Sequence, residues 1–122
     1  MCGIVGITSN KEVTTRILNS LKKLEYRGYD SAGIATLNEG FIKEVKCEGR
    51  VEALEKNISK TNLQGEIGIG HVRWATHGKP STVNAHPHSS EKVSVVHNGI
   101  IENSTILKKV LENKGYKFKS QT

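Results

Sequence analysis

The amino-acid sequence predicts an α+β fold with antiparallel sheet, and three observations lead to that prediction. Short alternating apolar stretches, which indicate strands, come in neighbouring pairs such as residues 32–37 and 41–47. Three other stretches carry apolar residues at helical spacing and interrupt the strands along the chain. The 122 residues are enough for one domain with its own core. Strands in hairpins that are interrupted by helices are typical of α+β proteins.

The first half of the chain predicts two strand regions separated by helices. Ser9 and Asn10 predict a turn or a helix N-cap after the first strand, and Gly28 is the expected end of the first helix. A turn containing glycine joins the strands of the hairpin. In chain order we predict a strand at residues 4–8, a helix from Val13 onward, a hairpin at 32–47 with its turn at 38–40, and a helix at 51–58.

The second half predicts a glycine-bearing strand, a long loop and a third helix. Glycine weakens a strand unless another backbone or a ligand approaches closely, so Gly68 and Gly70 suggest such an approach. Residues 74–90 show little periodicity and predict a long loop, which in a compact domain is often functional. The remaining predictions are a strand at 66–73, a strand at 92–97, a helix at 106–111 capped by Asn103 or Ser104 and stopped by Gly115, and a strand at 116–119.

Composition and charge limit the classes of partner. The net charge is +6, but the lysines are dispersed and form no long basic block, so we do not expect nucleic-acid binding. No apolar run is long enough for a transmembrane helix, and the N-terminus lacks the pattern of a signal peptide. We therefore expect a cytoplasmic protein that does not bind membranes.

Cys2 is the residue around which the chain is organised. It directly follows Met1, so removal of Met1 would give one residue both a thiol and a free α-amine. An α-amine with a pKa of ~7.7–8.0 can act as the base for a thiol with a pKa of ~8.5. We therefore predict that Cys2 is a nucleophile. The other cysteine, Cys47, lies in a predicted strand and is expected to be a small packing residue.

A dense polar stretch at residues 70–78 ends the glycine-bearing strand. Arg73 is suited to a planar, bidentate grip on a carboxylate. Trp74 beside it could form a lid or a hydrophobic wall. The alternative for this stretch is a surface arginine next to a core tryptophan.

Asn98 and Gly99 follow the strand predicted at 92–97. The structural alternative is a type I′ turn, for which Asn-Gly is a strong signal. However, Ile100 and Ile101 do not alternate as a return strand would. The functional interpretation is an oxyanion hole, in which the Asn98 amide and the Gly99 N–H face a developing negative charge.

Five histidines raise the possibility of a metal site. Two of them, His86 and His88, flank Pro87, and none of the histidines shows the spacing of a known ligand motif. We expect no metal and no cofactor. A histidine-rich metal-binding module remains an alternative from another functional class.

Five motifs that run in order along the whole chain together resemble the class II glutamine amidotransferases. YRGY at 26–29 and RWATH at 73–77 point, within that class, to the glutamine–fructose-6-phosphate aminotransferases rather than to the amidophosphoribosyltransferases, which remain the closest alternative. The motifs are CGIVG at 2–6, LEYRGYDSAG at 24–33, HVRWATHG at 71–78, NAHPH at 84–88 and VHNGIIEN at 96–103.

The resemblance implies an N-terminal-nucleophile hydrolase fold, with two antiparallel sheets between helical layers, incomplete in this chain. Residues 1–122 would be the N-terminal part of a type-2 glutamine amidotransferase (glutaminase) domain, without the sugar-isomerase domains. The implied partners are L-glutamine and, through those other domains, fructose 6-phosphate, which the full-length homo-oligomeric enzyme would convert to glucosamine 6-phosphate. We expect this chain alone to be weakly active or inactive.

The resemblance also implies roles for nine residues. An aspartate that binds the glutamine α-ammonium in the family would follow Thr122 and is absent here. Met1, where retained, would block the nucleophile. Cys2 would attack the glutamine amide; Asn98 and Gly99 would hold the oxyanion; Arg73, Thr76 and His77 would bind the glutamine; His86 and Arg27 would support that binding pocket; and Trp74 would gate the path of ammonia.

Overall fold

The computed structural model describes all residues from 1 to 122. Two sheets and three α-helices account for the regular structure, and a short 3-10 helix (Glu25–Arg27) extends the first helix. The elements in chain order are β1 (Gly3–Thr8), α1 (Thr14–Leu24), β2 (Ser31–Asn38), β3 (Phe41–Glu48), α2 (Val51–Thr61), β4 (Ile67–Arg73), β5 (His88–Ser89), β6 (Ser94–Val95) and α3 (Ser104–Asn113).

The main sheet is fully antiparallel and has the strand order β1-β4-β2-β3. The predicted hairpin is confirmed: Asn38 pairs with Phe41, so only two residues form its turn. Those residues, Glu39 and Gly40, both have positive φ, at 51° and 78°. Positive φ at both positions is the geometry that matches the natural twist of a tight hairpin.

The hydrophobic core lies between one face of this sheet and the helices α1 and α2. Ile17 of α1, Ile34 of β2 and Leu54 of α2 are completely buried there. The glycines of β4 allow α1 to lie directly against the sheet, because a Cβ at Gly68 or Gly70 would come within 2.6 or 2.5 Å of the Ile17 side chain. The close approach at these glycines is therefore made by side chains of a helix, not by another backbone or a ligand.

The opposite face of the sheet carries the polar side chains. Successive residues of a strand face opposite sides, so His71 and Arg73 lie on the face away from α1, since Gly70 faces the helix. The loop after β4 covers this face. Its approach is closest at Gly33, where a Cβ would lie 2.2 Å from the carbonyl oxygen of His86. As a result, residues 31–36 of β2 are all buried.

Some local predictions differ from the structure. The strand expected at 92–97 is reduced to β6, which pairs only with β5. The strand expected at 116–119 is not formed, because no strand lies beside it to accept its hydrogen bonds. Ser9 makes a turn, accepting the N–H of Lys11, but α1 begins later and the carboxylate of Glu12 accepts the N–H of Thr14.

The architecture confirms an α+β class with antiparallel sheets. Of the second sheet expected for a sandwich, only the two-stranded β5–β6 ladder is formed. Helix α3 buries none of its residues. None of the helices combines the length and the apolar character that a membrane crossing requires.

Candidate active site

A cavity of about 670 Å³ opens on the polar face of the sheet. Its wall combines the residue before β1, the end of β4, the long loop and the segment between β6 and α3. Eight of the nine predicted site residues line it: Cys2, Arg73, Trp74, Thr76, His77, His86, Asn98 and Gly99. The ninth, Arg27, lies outside the wall.

The sulfur of Cys2 contacts the backbone of Trp74. The Trp74 N–H donates to Sγ at 3.3 Å, and the Trp74 carbonyl oxygen lies 3.6 Å from the same sulfur. Gly28 packs directly against this same backbone: a Cβ there would lie 2.5 Å from the carbonyl carbon of Arg73 and 2.7 Å from the nitrogen of Trp74. Gly28 was predicted only as the end of a helix, so its part in the site was missed.

Arg27 holds the backbone of Cys2. Its Nε donates to the carbonyl oxygen of Cys2 at 3.1 Å, and its Nη2 lies 3.9 Å from the sulfur of Met1. Because it does not line the cavity, its geometry favours orienting Cys2 over contacting a ligand. Met1 is 76% exposed, so the bond that joins it to Cys2 is near the surface.

Arg73 is a buried cation without an acidic partner. Its side chain is 4% exposed, and its guanidinium donates to the carbonyl oxygens of Lys79 at 3.2 Å, Gly78 at 2.9 Å and His77. None of the four ion pairs in the structure includes it. Carbonyl oxygens satisfy hydrogen bonds but carry no full charge, so a buried guanidinium in this setting favours an anionic ligand.

The loop that surrounds the Arg73 guanidinium is anchored by Asn84, which sequence reasoning did not assign to the site. Asn84 is 2% exposed, and its Nδ2 donates to the carbonyl oxygen of Lys79 at 3.0 Å and to Oε1 of Gln121 at 2.9 Å. Its Oδ1 accepts the N–H of Gln121 at 2.8 Å. Asn84 therefore joins the arginine loop to another part of the cavity wall. Its signal in the sequence was its place in the NAHPH motif.

Trp74 is not a core residue, so that alternative is wrong. Its side chain is 47% exposed, and its ring packs edge-on against Tyr29 with 5.7 Å between centroids. Both rings border a second cavity of about 250 Å³, which also contacts Asp30 and Pro80. Because Trp74 lines the first cavity as well, it lies between the two.

Asn98 and Gly99 do not form a hairpin turn. The only strand paired with β6 is β5, which precedes it, and no strand after Gly99 forms the second arm of a hairpin. Gly99 has φ 153°. The Oδ1 atom of Asn98 lies 2.7 Å from Nε2 of His71. The pair is thus held at the cavity by a side chain of β4.

Three histidines form a cluster next to this segment, in which His71 and His86 are stacked and His88 is tilted by 54° against His86. The ring centroids of His71 and His86 are 4.5 Å apart, and those of His86 and His88 are 4.4 Å apart. Burial lowers the pKa of His71 to about 4 and that of His86 to about 3, with a smaller contribution from the nearby charge of Arg73. Both rings are therefore neutral at neutral pH.

The histidine cluster is not arranged as a metal site. No group of three or more histidine, cysteine, aspartate or glutamate side chains has an arrangement that could hold a metal ion. Nothing in this geometry favours the metal-binding alternative.

Several known proteins are similar to this chain. No protein-family model matches the chain. Curated relatives are glutamine–fructose-6-phosphate aminotransferases (isomerizing): those of Clostridium acetobutylicum, Brucella abortus and Francisella tularensis are 56%, 55% and 57% identical over 100% of this chain. The chain spans 20% of the length of each of these relatives.

Two solved structures share the fold at 28% and 30% sequence identity. The glutamine phosphoribosylpyrophosphate amidotransferase of B. subtilis superposes with a TM-score of 0.83 at 28% identity, covering 100% of this chain and 27% of that one. The allosteric regulatory enzyme of purine biosynthesis gives 0.81 at 30% identity, covering 98% and 27%. The predicted N-terminal-nucleophile amidotransferase fold is confirmed by these matches. Over its whole length the chain is similar to the glutamine–fructose-6-phosphate aminotransferases (isomerizing), and it spans about a fifth of their length.

Proposed function

We propose that this chain carries the glutamine-hydrolysing site of an amidotransferase, with Cys2 as the nucleophile. The observation that carries the proposal is the cavity itself. It brings together the residues at the chain's start, at 73–77, at 86 and at 98–99 around one half-buried thiol. Residues so far apart in sequence share one wall only through the tertiary fold.

The proposed chemistry begins with removal of Met1. The freed α-amine of Cys2 takes the thiol proton, and the thiolate attacks the side-chain amide carbon of L-glutamine. The oxyanion that forms is held by the Asn98 amide and the Gly99 N–H. The C–N bond then breaks, the nitrogen takes the proton from the α-ammonium and leaves as ammonia, and water hydrolyses the thioester to glutamate.

Substrate binding is proposed to centre on Arg73. Its buried and unpaired guanidinium would hold the glutamine α-carboxylate, and its hydrogen bonds to loop carbonyls keep it in place. Thr76 and His77 lie beside it on the cavity wall. His86 supports the oxyanion segment, because its Nδ1 accepts the backbone N–H of His97 at 3.4 Å.

Trp74 is proposed to gate the exit of ammonia. Its exposed ring stands between the main cavity and the smaller one, so a rotation of the ring would change the connection between them. The contact of its backbone with Cys2 keeps the gate next to the site where ammonia forms.

The proposed acceptor is fructose 6-phosphate, as the names of the curated relatives indicate. Residues 1–122 would form part of a type-2 glutamine amidotransferase domain, with the sugar-isomerase function and oligomer contacts lying outside them. Phosphoribosylpyrophosphate is the second candidate, since the name of one of the two solved relatives contains it. The curated relatives are about twice as similar in sequence, which favours the sugar phosphate. A cytoplasmic location stays a prediction.

The test uses a glutamine analogue with an electrophilic diazoketone in place of the amide. The chain with Met1 removed should gain one adduct on Cys2, which peptide mass mapping would locate. A matched chain with an extra N-terminal residue should gain far less, because its Cys2 nitrogen is an amide and cannot act as base. Equal labelling of both chains would overturn the proposal.

A second assay addresses the acceptor. Because the chain spans only a fifth of its relatives' length, we expect no glucosamine 6-phosphate from these 122 residues supplied with glutamine and fructose 6-phosphate. Formation of that product by the chain alone would contradict the proposed division of labour.

A further inference from the structure

We propose that His71 is a positioning residue that sets the orientation of the Asn98 amide. In this arrangement Nε2–H of His71 donates to Oδ1 of Asn98, and the Asn98 NH2 group is thereby turned toward the cavity. The inference deepens the proposed function, because it concerns how one donor of the oxyanion hole is aimed.

His71 is carried by a rigid element of the fold. His71 is completely buried in β4, and it is paired with Ile4 of β1 on one side and with Gly33 of β2 on the other. Asn98, in contrast, lies in an irregular segment beyond β6. The 2.7 Å contact therefore ties a side chain of the irregular segment to the centre of the main sheet.

The surroundings of the His71 imidazole indicate which of its nitrogens carries the proton. A neutral histidine carries one proton, on either Nδ1 or Nε2. Nδ1 of His71 is buried and has no hydrogen-bond partner. A proton there would be a buried donor without an acceptor, and unpaired buried N–H groups are rarer in proteins than under-satisfied acceptors. The proton therefore belongs on Nε2.

This tautomer decides which end of the amide faces the cavity. An Nε2–H group can meet only an acceptor, so the oxygen of Asn98 must face His71 and the nitrogen must face away. The two ends of an asparagine amide have nearly the same shape, and packing alone does not distinguish them. With the amide reversed, its oxygen would confront the developing oxyanion and the donor would be lost.

His86 contacts both the His71 ring and the segment that carries Asn98. Its ring stacks on His71 with an interplanar angle of 22°, which limits rotation of the His71 ring. The same ring accepts the backbone N–H of His97, the residue before Asn98. Both the donor ring and the segment that carries its acceptor are thus held by one side chain.

The direct test is nuclear magnetic resonance of the chain with ¹⁵N-labelled histidine at about pH 7.5. Long-range proton–nitrogen correlations should show His71 protonated at Nε2 and bare at Nδ1. In Asn98→Ala, the Nε2–H proton should lose its hydrogen-bonded shift. Protonation at Nδ1 would overturn the inference, and it would do so whether or not Cys2 reacts with a glutamine analogue.

A kinetic test uses the rate of Cys2 modification by the diazoketone analogue. His71→Asn is too short to reach Asn98 and should slow the step by about 10²-fold, as expected for loss of one oxyanion donor. His71→Gln places an amide N–H near the position of Nε2 and should retain the rate within about tenfold. Binding of the analogue should change little in either variant, and thermal unfolding would confirm that both fold.

The double variant identifies the route of the effect. If His71 acts through Asn98, then His71→Asn should have almost no further effect on the rate in an Asn98→Ala background. Rate losses that multiply would show that His71 acts independently and would overturn the inference. Loss of the rate in His71→Gln equal to that in His71→Asn would also contradict it.

Discussion

The backbone of Trp74 holds the sulfur of Cys2, with its N–H at 3.3 Å and its carbonyl oxygen at 3.6 Å. These residues are 72 positions apart in sequence. The contact involves only the main chain of Trp74. Its indole ring takes no part in that contact and lines both cavities. The residue that follows β4 thus contacts the thiol through its backbone and lines both cavities with its side chain.

The two cysteines should differ in reactivity. Cys2 lines the cavity, whereas Cys47 is 5% exposed and burial raises the pKa of its thiol. Under native conditions iodoacetamide should modify Cys2 at least about tenfold faster than Cys47, because the thiolate is the reactive form. Peptide mapping against time gives both rates. In urea the two rates should converge, and equal rates in the native chain would contradict the assignment.

Replacing Arg73 by lysine should weaken recognition of the α-carboxylate. Lysine keeps the charge but cannot reproduce the planar fork that reaches a ligand and the loop carbonyls together. We expect the efficiency of Cys2 modification by the diazoketone analogue to fall by about 10- to 100-fold. Arg16→Lys, at an exposed position of α1, is the matched control.

The carboxylate specificity of this effect can be checked with an analogue that lacks the α-carboxylate. Its slower reaction with Cys2 should be the same in Arg73→Lys and in the unaltered chain. A wild-type rate for Arg73→Lys with the complete analogue would remove Arg73 from the proposed binding site.

Gly28→Ala should destabilise the fold and disturb the nucleophile. The added Cβ would meet the carbonyl of Arg73 and the nitrogen of Trp74, which are backbone atoms that cannot move aside alone. We expect the free energy of unfolding to fall by about 1–3 kcal/mol, as for other overpacked sites. Urea denaturation measures the change.

The control for that substitution is Gly6→Ala on β1. An added Cβ at this position would meet nothing closer than a methyl of Ile69 at 4.0 Å. Its unfolding free energy should therefore stay within about 0.5 kcal/mol of the original. Equal losses in the two variants would indicate a general intolerance of alanine in place of glycine.

Acid should destabilise the chain before its carboxylates titrate. Unfolded histidines take up a proton near pH ~6.5, whereas the pKa is about 4 for folded His71 and about 3 for folded His86. Between these values the unfolded state binds more protons, so the free energy of unfolding falls as the pH drops below about 6.5. Urea midpoints at about pH 7.5, 6 and 5 should decrease in that order.

Removal of one titrating ring tests the source of this pH dependence. His86→Gln should flatten the decline in the urea midpoint between about pH 7.5 and 5, since one of the histidines with a lowered pKa is absent. A midpoint that does not change with pH in the unaltered chain would contradict the shifted pKa values.

The fold class and most elements were predictable because they rest on local signals. Helical spacing marked α1 and α2, and the glycine-containing turn marked the β2–β3 hairpin. The predictions for 92–97 and 116–119 overstated their regular structure, because a strand needs a partner and local sequence does not say whether one is present. The stacking of His71 on His86 could not be predicted either, since His71 comes from β4 and His86 from the loop.

Residue types and motifs alone indicate which chemistry is available: a cysteine next to the N-terminus, an arginine and an Asn-Gly pair in motifs that indicate an amidotransferase. How these groups lie relative to one another depends on the folded chain. It buried Arg73 without an acid, assigned Arg27 to the backbone of Cys2, and placed His71 against Asn98. The physical reason is that residue type sets what a group can do, whereas its charge state, exposure and hydrogen-bond partner depend on distant segments that the sheet brings together.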